Sequence, residues 1–326
     1  MSIETKMPTG AKPSGRFYDT VFIREYGTLE SLRAARYNTC YSILLVDIEG
    51  AGTREERRAV YADIASAVTA SVRSCDVAGS NGESQILVIL PETDFFGTLL
   101  TIRKLARALD PFLSTEALSI IFSHATFPRD GKGFGELLSR ATALVNEKRS
   151  SMWERMRMKD KLFWEIIGNL ASEPQREFNN SSFDAGAGMP LSEFIVDQVN
   201  ELIVNEVSRA PQQRGILYIA SKKISSSLPI IKTLGLAGNI ATKVFLVGEA
   251  GPDLQEIKNA APLPISDPRL KELFFTFYLS EDAGYAVIYK EAWGDTLSCF
   301  HTADQALVEG LITKFQSEYA LGEQLG

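Results

Sequence analysis

The octapeptide Tyr41-Ser-Ile-Leu-Leu-Val-Asp47-Ile48 is apolar on both sides of the chain and carries one carboxylate near its end. A run of this length without alternation suits a strand buried on both faces, so helices must cover the sheet that contains it. The neighbouring segments supply them. Tyr18 to Arg36 places Val21, Phe22, Tyr26, Leu29 and Leu32 at helical spacing, which predicts a helix. Glu55 to Val72 repeats Val60, Ile64, Val68 and Val72 at four-residue steps. A second buried strand, Gln85 to Leu90, is stopped by Pro91. A helix from Phe95 to Leu109, a strand from Leu118 to Phe127 and a helix from Phe134 to Lys148 complete the alternation. The expected fold class is α/β, a central sheet flanked by helices, joined to a second α/β domain.

The chain has 326 residues, enough for two domains that each bury a core. Met1 to about residue 17 is polar, contains Pro8 and Pro13, and reads as a flexible tail. Residues 18–150 form the first domain. Residues 151–188 read as an amphipathic helix, with Met152, Trp153, Met156, Leu162, Phe163, Trp164, Ile166 and Ile167, followed by a linker. Residues 189–326 form the second domain. It opens with a helix from Leu191 to Val207. Strands are expected at Gly215–Ala220, Lys243–Val247, Phe274–Leu279, Tyr285–Tyr289 and Leu297–Phe300. Helices are expected at Ser226–Leu234 and Ala303–Tyr319, the last with Thr302 and Gln305 spaced as a capping box.

Charge narrows the function classes. Residues 1–150 carry 18 Lys+Arg and 18 Asp+Glu; residues 151–326 carry 16 and 23, which accounts for the whole net charge of −7. Neither half has the basic excess that phosphate neutralisation requires, so nucleic acid is not an expected partner. No apolar run reaches membrane-spanning length, and the N-terminus lacks the apolar core of a secretory signal. Three isolated cysteines, Cys40, Cys75 and Cys299, suggest neither a disulfide framework nor a zinc site and fit a cytoplasmic protein.

Several small features read as ordinary structure. His124, inside a strand, is expected to be a satisfied core or edge residue, and His301, ahead of a helix cap, to be solvated. Gly248-Glu-Ala-Gly-Pro252 lacks the lysine and length of a phosphate loop and reads as a turn. Ser221 to Ser227 reads as a capped helix start.

Four segments of the first domain carry a likeness in order and spacing. They are Glu30-Ser-Leu-Arg-Ala-Ala-Arg-Tyr37 with the strand Ser42 to Glu49; Val72-Arg-Ser-Cys-Asp-Val-Ala-Gly-Ser-Asn-Gly-Glu-Ser-Gln-Ile through Asp94; Ser123 to Gly131; and Leu137 to Leu144. Together they resemble the GGDEF domain of diguanylate cyclases over about 130 residues. The resemblance implies that the signature position is Gly82-Glu83-Ser84-Gln85-Ile86, where the second glycine and both acidic residues are replaced. Asp47 matches a metal-binding aspartate of the family, but one carboxylate is a poor magnesium site. The Asn-Asp pair that reads guanine has no counterpart in Glu49-Gly-Ala-Gly-Thr-Arg-Glu-Glu56. Neither catalysis nor a cofactor is therefore expected.

The resemblance also implies a surviving ligand site. Arg73-Ser-Cys-Asp76 stands five residues before the signature, the spacing of the family's inhibitory RxxD site for cyclic diguanylate. A guanidinium offers a planar fork to phosphate, and a carboxylate accepts from a guanine edge. A second arginine would be needed, with Arg103 and Arg107 available. The alternative is a helix-end salt bridge between Arg73 and Asp76 with no ligand. In the second domain, Ser266-Asp-Pro-Arg-Leu270 and Phe300-His-Thr-Ala-Asp304 faintly resemble a DICT sensory domain. The expectation is a bacterial regulatory protein with a cyclic diguanylate ligand at Arg73 and Asp76, a protein partner for the second domain, and homodimerisation left open. A scaffold without a nucleotide is the alternative, and an active nucleotide cyclase a third reading.

Overall fold

The computed structural model describes residues 16–50, 53–113, 118–172, 189–191, 193–225, 228–251, 256–291 and 297–321. The expected tail before residue 16 and the linker 173–188 lie outside them. The chain divides into two compact units between Arg149 and Ser150.

In the first unit, the elements are β1 (Phe17–Tyr18), α1 (Thr20–Tyr37), β2 (Tyr41–Gly50), α2 (Arg54–Ser71), β3 (Val77–Ser80), β4 (Gln85–Pro91), α3 (Phe95–Leu113), β5 (Leu118–Phe127) and α4 (Phe134–Arg149). The sheet order is β1-β3-β4-β2-β5, with β1 parallel to β3 and the other pairs antiparallel. The octapeptide strand lies between β4 and β5 and is buried from Tyr41 to Ile48. Alternate residues serve opposite faces. Tyr41, Ile43 and Leu45 join Leu87, Ile89, Ala125 and Val145 in a core on the side of α1 and α4. Helices α2 and α3 pack on each other, with α3 against β2 and β5.

Helix α1 turns small and polar residues inward. Its buried residues are Ile23, Gly27, Glu30, Ser31 and Ala34. Val21, Leu29 and Leu32, of the apolar stripe, are exposed by 67, 63 and 65 %. A small, polar inner face is possible because Ser31 bonds the Tyr41 hydroxyl at 2.6 Å and Glu30 forms a forked pair with Arg33 at 2.7 Å. The apolar stripe was legible, but spacing alone does not say which side of a helix meets the sheet.

The second unit consists of α5 (Met152–Arg155), a 3-10 turn (Met158–Asp160), α6 (Phe163–Ser172), β6 (Met189–Leu191), α7 (Glu193–Arg209), β7 (Gly215–Ile224), α8 (Pro229–Leu236), β8 (Thr242–Ala250), β9 (Ala261–Pro264), a 3-10 turn (Pro268–Lys271), β10 (Leu273–Ser280), β11 (Gly284–Glu291), β12 (Leu297–Thr302) and α9 (Gln305–Glu318). Its sheet runs β6-β12-β11-β10-β7-β8-β9, parallel at β7-β8-β9 and antiparallel elsewhere. Helices α6 and α9 pack on β10–β12, where Phe163, Phe275 and Phe315 stand at ring separations of 5.1 to 5.4 Å. On α7 and α8, Ile203, Val204, Ile230 and Leu234 join Leu217 and Leu246 in a second core.

The single helix expected at 151–170 is broken into α5, a 3-10 turn and α6, with Arg157 in the left-handed region at φ 48°. The cap of α9 also differs. Asp304 accepts from Ala306 and Leu307, while Thr302 accepts from the Asp304 N–H. His301 is half-buried on β12, not solvated. Ser221 to Ile224 extends β7 instead of starting a helix, and Gly248 to Ala250 ends β8. Residues 226, 227 and 252 lie outside the described residues.

Candidate functional site

The strand β2 and the hairpin between β3 and β4 build the site. In the β2–β4 register Asp47 stands opposite Gln85, so the buried carboxylate of β2 faces the fourth residue of Gly82-Glu83-Ser84-Gln85-Ile86. Asn81 N–H donates to the Gln85 carbonyl at 2.8 Å and closes the hairpin loop, where Gly82 takes φ +117°. Ile48 N–H donates to the Ser84 carbonyl at 2.9 Å, tying the loop to β2.

Asp47 is buried, with only 5 % of its side chain exposed, and both of its oxygens are taken. The Gln85 side-chain amide donates to Oδ1 at 2.8 Å. The Arg149 guanidinium, from the last turn of α4, donates to Oδ2 and reaches Glu49 at 3.7 Å. Gln85 is in turn held by Asn81, whose amide donates to Gln85 Oε1 at 2.9 Å and whose own oxygen accepts from Arg24 at 3.2 Å. A continuous polar relay therefore runs from α1 through the hairpin to the end of α4. Sequence reading named Asp47 and Gln85 but missed Arg149, which lies 102 residues from Asp47 and carries no local signal.

A buried carboxylate needs a compensating cation. Here a guanidinium supplies it. Among the described residues no group of three or more His, Cys, Asp or Glu side chains is placed to hold a metal ion. Gln85 presents its amide N–H₂ to Asp47, a donor where a second metal ligand would have to be an acceptor.

Beside the hairpin lies a cavity of about 850 Å³, lined by Ile48, Gly50, Arg54, Arg58, Tyr61 and Ser84 among others. Charges of both signs border it. Arg54 pairs with Glu83 at 2.7 Å, but both side chains are more than 80 % exposed, so the pair contributes little. Thr53 and Glu56 form a capping box at the start of α2 beside it.

The Arg73–Asp76 segment forms the turn that follows α2. Asp76 Oδ2 accepts from the Arg73 backbone N–H at 2.7 Å, and Asp76 N–H donates to the Arg73 carbonyl at 3.1 Å. Burial pushes the Asp76 carboxyl above its ordinary range, partly offset by that N–H and by the charges of Arg73 and Lys104. The Arg73 side chain is exposed, and among the described residues it makes no ion pair. In place of the helix-end salt bridge weighed as the alternative, the Asp76 side chain caps the turn's own backbone. Arg107 is exposed and Arg103 half-buried on α3, and neither is bonded to Arg73 or Asp76.

His124 sits on β5 with its ring 5.2 Å from that of Phe95 and Nδ1 unbonded. Burial, with Lys148 and Arg129 adding, pushes its pKa down to about 3, which leaves a neutral core residue. Cys40, Cys75 and Cys299 are free thiols. No helix among the described residues is long and apolar enough to cross a membrane.

Solved structures similar to this chain include GGDEF domains and diguanylate cyclases. The GGDEF domain of YfiN (TpbB) from Pseudomonas aeruginosa matches at 15 % identity, covering 43 % of this chain and 91 % of its own, with a TM-score of 0.36. A diguanylate cyclase protein from Thermotoga maritima matches at 17 % identity, over 42 % of this chain and 98 % of its own, with a TM-score of 0.34. The GGDEF domain of DgcB from Caulobacter crescentus, solved in complex with c-di-GMP, matches at 11 % identity over 45 % and 92 %, with a TM-score of 0.34. No protein-family model matches the chain, and no curated protein matches it. At these identities and TM-scores the chemistry of the site rests on the side chains themselves.

Proposed function

We propose that the first unit is a non-catalytic, GGDEF-like regulatory module that works by binding and not by turnover. The observation that carries this reading is the state of Asp47. Its two oxygens are bonded to Gln85 and Arg149, so the carboxylate matched to a metal ligand already holds an internal cation. Phosphoryl chemistry on a triphosphate needs divalent cations held by several oxygens, and Ser84 and Gln85 offer no carboxylate.

The ligand reading assigns cyclic diguanylate to the Arg73–Asp76 turn. The exposed Arg73 guanidinium supports it, as a planar fork able to meet a phosphate or stack on a base. A protein-binding scaffold is the second reading, and one observation favours it: Asp76 spends an oxygen on the Arg73 backbone, which is a structural task. The second unit, acidic and built on its own sheet, serves in both readings as the sensory or protein-interaction module.

Titration calorimetry with cyclic diguanylate separates them. The ligand reading expects binding that Arg73→Ala removes; no heat at high ligand concentration leaves the scaffold. Incubation with GTP and Mg²⁺ or Mn²⁺ is expected to give no product, and any cyclic dinucleotide formed would defeat the non-catalytic reading.

A further inference from the structure

We infer that the outer face of α1 docks on the same face of a second copy of this chain, antiparallel across a two-fold axis between Leu29 and Leu32. The helix is inverted relative to an ordinary amphipathic surface helix. Its inner face is Ile23, Gly27, Glu30, Ser31 and Ala34, while Val21, Phe22, Leu29 and Leu32 stand exposed by 41 to 67 %. At 100° per residue, Val21, Leu32, Glu25, Arg36, Leu29 and Phe22 fall in one stripe opposite the buried set.

Charge decides the occupant. The stripe carries one acid, Glu25, toward its N-terminal end and one base, Arg36, toward its C-terminal end, both exposed. Arg24 is bonded to Asn81 and Arg33 to Glu30 and Glu92, while Arg36 lies over the ring of its neighbour Tyr37 at 5.5 Å and keeps its charge toward the stripe. The midpoint of Glu25 and Arg36 coincides with the midpoint of Leu29 and Leu32. An antiparallel copy centred there sets Glu25 against Arg36 twice and Leu29 against Leu32 twice. A parallel copy sets Glu25 on Glu25 and Arg36 on Arg36, which repels. The stripe is thus complementary to itself in one orientation, the requirement of an isologous interface.

The interface is short, so the dimer is a weak one, with a dissociation constant on the order of 10 µM. Sedimentation equilibrium of the full chain across that range tests it. Dimers are expected, with Leu29→Asp weakening association at least about tenfold. Glu25→Arg alone weakens it, and Glu25→Arg with Arg36→Glu restores it. All three residues are exposed, so these variants keep the fold. A monomer at every concentration overturns the proposal, and so does a dimer indifferent to Leu29→Asp. A monomer whose Leu29→Cys thiol resists alkylation would show that another surface covers the stripe, which also overturns it.

Discussion

Arg149, at the C-terminal end of α4, closes on Asp47 of β2 and does for it what a bound cation would do. The pair joins the last residue of the first unit to the strand beside the β3–β4 hairpin. Arg149 is 39 % exposed and Asp47 only 5 %, so the two partners are not equivalent.

That asymmetry sets the first prediction. Arg149→Ala leaves a buried carboxylate with only the Gln85 amide, at a cost of about 1–3 kcal/mol. Asp47→Asn alone removes the charge and leaves a neutral acceptor for Gln85. In the double variant the penalty of the unpaired charge disappears, so the two losses are expected to be less than additive. Urea denaturation of the four proteins in the cycle measures the coupling; strictly additive losses would mean that the pair does not matter.

The same geometry bears on whether the site can hold a metal ion. Gln85→Glu places a second carboxylate opposite Asp47, yet Arg149 remains to neutralise it. Only Gln85→Glu combined with Arg149→Ala frees adjacent carboxylates for a hard cation. The expected outcome is Mn²⁺ binding, followed by electron paramagnetic resonance, in the double variant alone. Binding by the unaltered protein would show that Arg149 does not exclude the ion.

His124 gives the first unit an acid limit. Its pKa falls to about 3 in the fold, against about 6.5 for an unfolded chain. Between those values the unfolded state holds the extra proton, so stability rises with pH in that window and is lost as pH falls through it. The slope is ~1.4 kcal/mol per pH unit below 6.5, and His124→Phe, beside Phe95, is expected to flatten it. Thermal unfolding at pH 7 and pH 5 gives the comparison; an unchanged pH dependence in the variant would assign the acid loss elsewhere.

How much of this could be read from residues alone follows from the range of each interaction. Buried strands such as Tyr41–Ile48 and Gln85–Leu90 announce themselves because an apolar run is a local property. Val77–Ser80 was not recognised as a strand, because Val-Ala-Gly-Ser has little strand preference and pairs only through β1 and β4. The orientation of α1 was not legible because Gly27, Ser31 and Ala34 form an inner face by being small, not by being apolar. The residues Glu83, Ser84 and Gln85 could be weighed from the sequence, but the guanidinium that pairs with Asp47 could not. Arg149 meets Asp47 only after β2, β5 and α4 have packed, and no spacing rule spans that distance.

Two glycines of the second unit should respond to the same substitution with opposite signs. Gly248 lies near the end of β8 at φ +153°, and a Cβ there would stand 2.2 Å from the Ser221 carbonyl oxygen. That oxygen belongs to β7 backbone where the β7–β8 register shifts between Ala220 and Lys223, so it cannot swing aside as a side chain would. Gly248→Ala therefore combines an unfavourable backbone conformation with a backbone clash, and about 3 kcal/mol of stability should be lost. Gly235, inside α8, is exposed and has nothing within 4 Å of a built Cβ. Gly235→Ala only restricts the unfolded chain and improves helix propensity, a gain of about 0.5–1 kcal/mol. Urea unfolding of each variant measures both changes. Equal effects would mean that the bulge at Gly248 relaxes freely, and that the β7–β8 pairing is not rigid there.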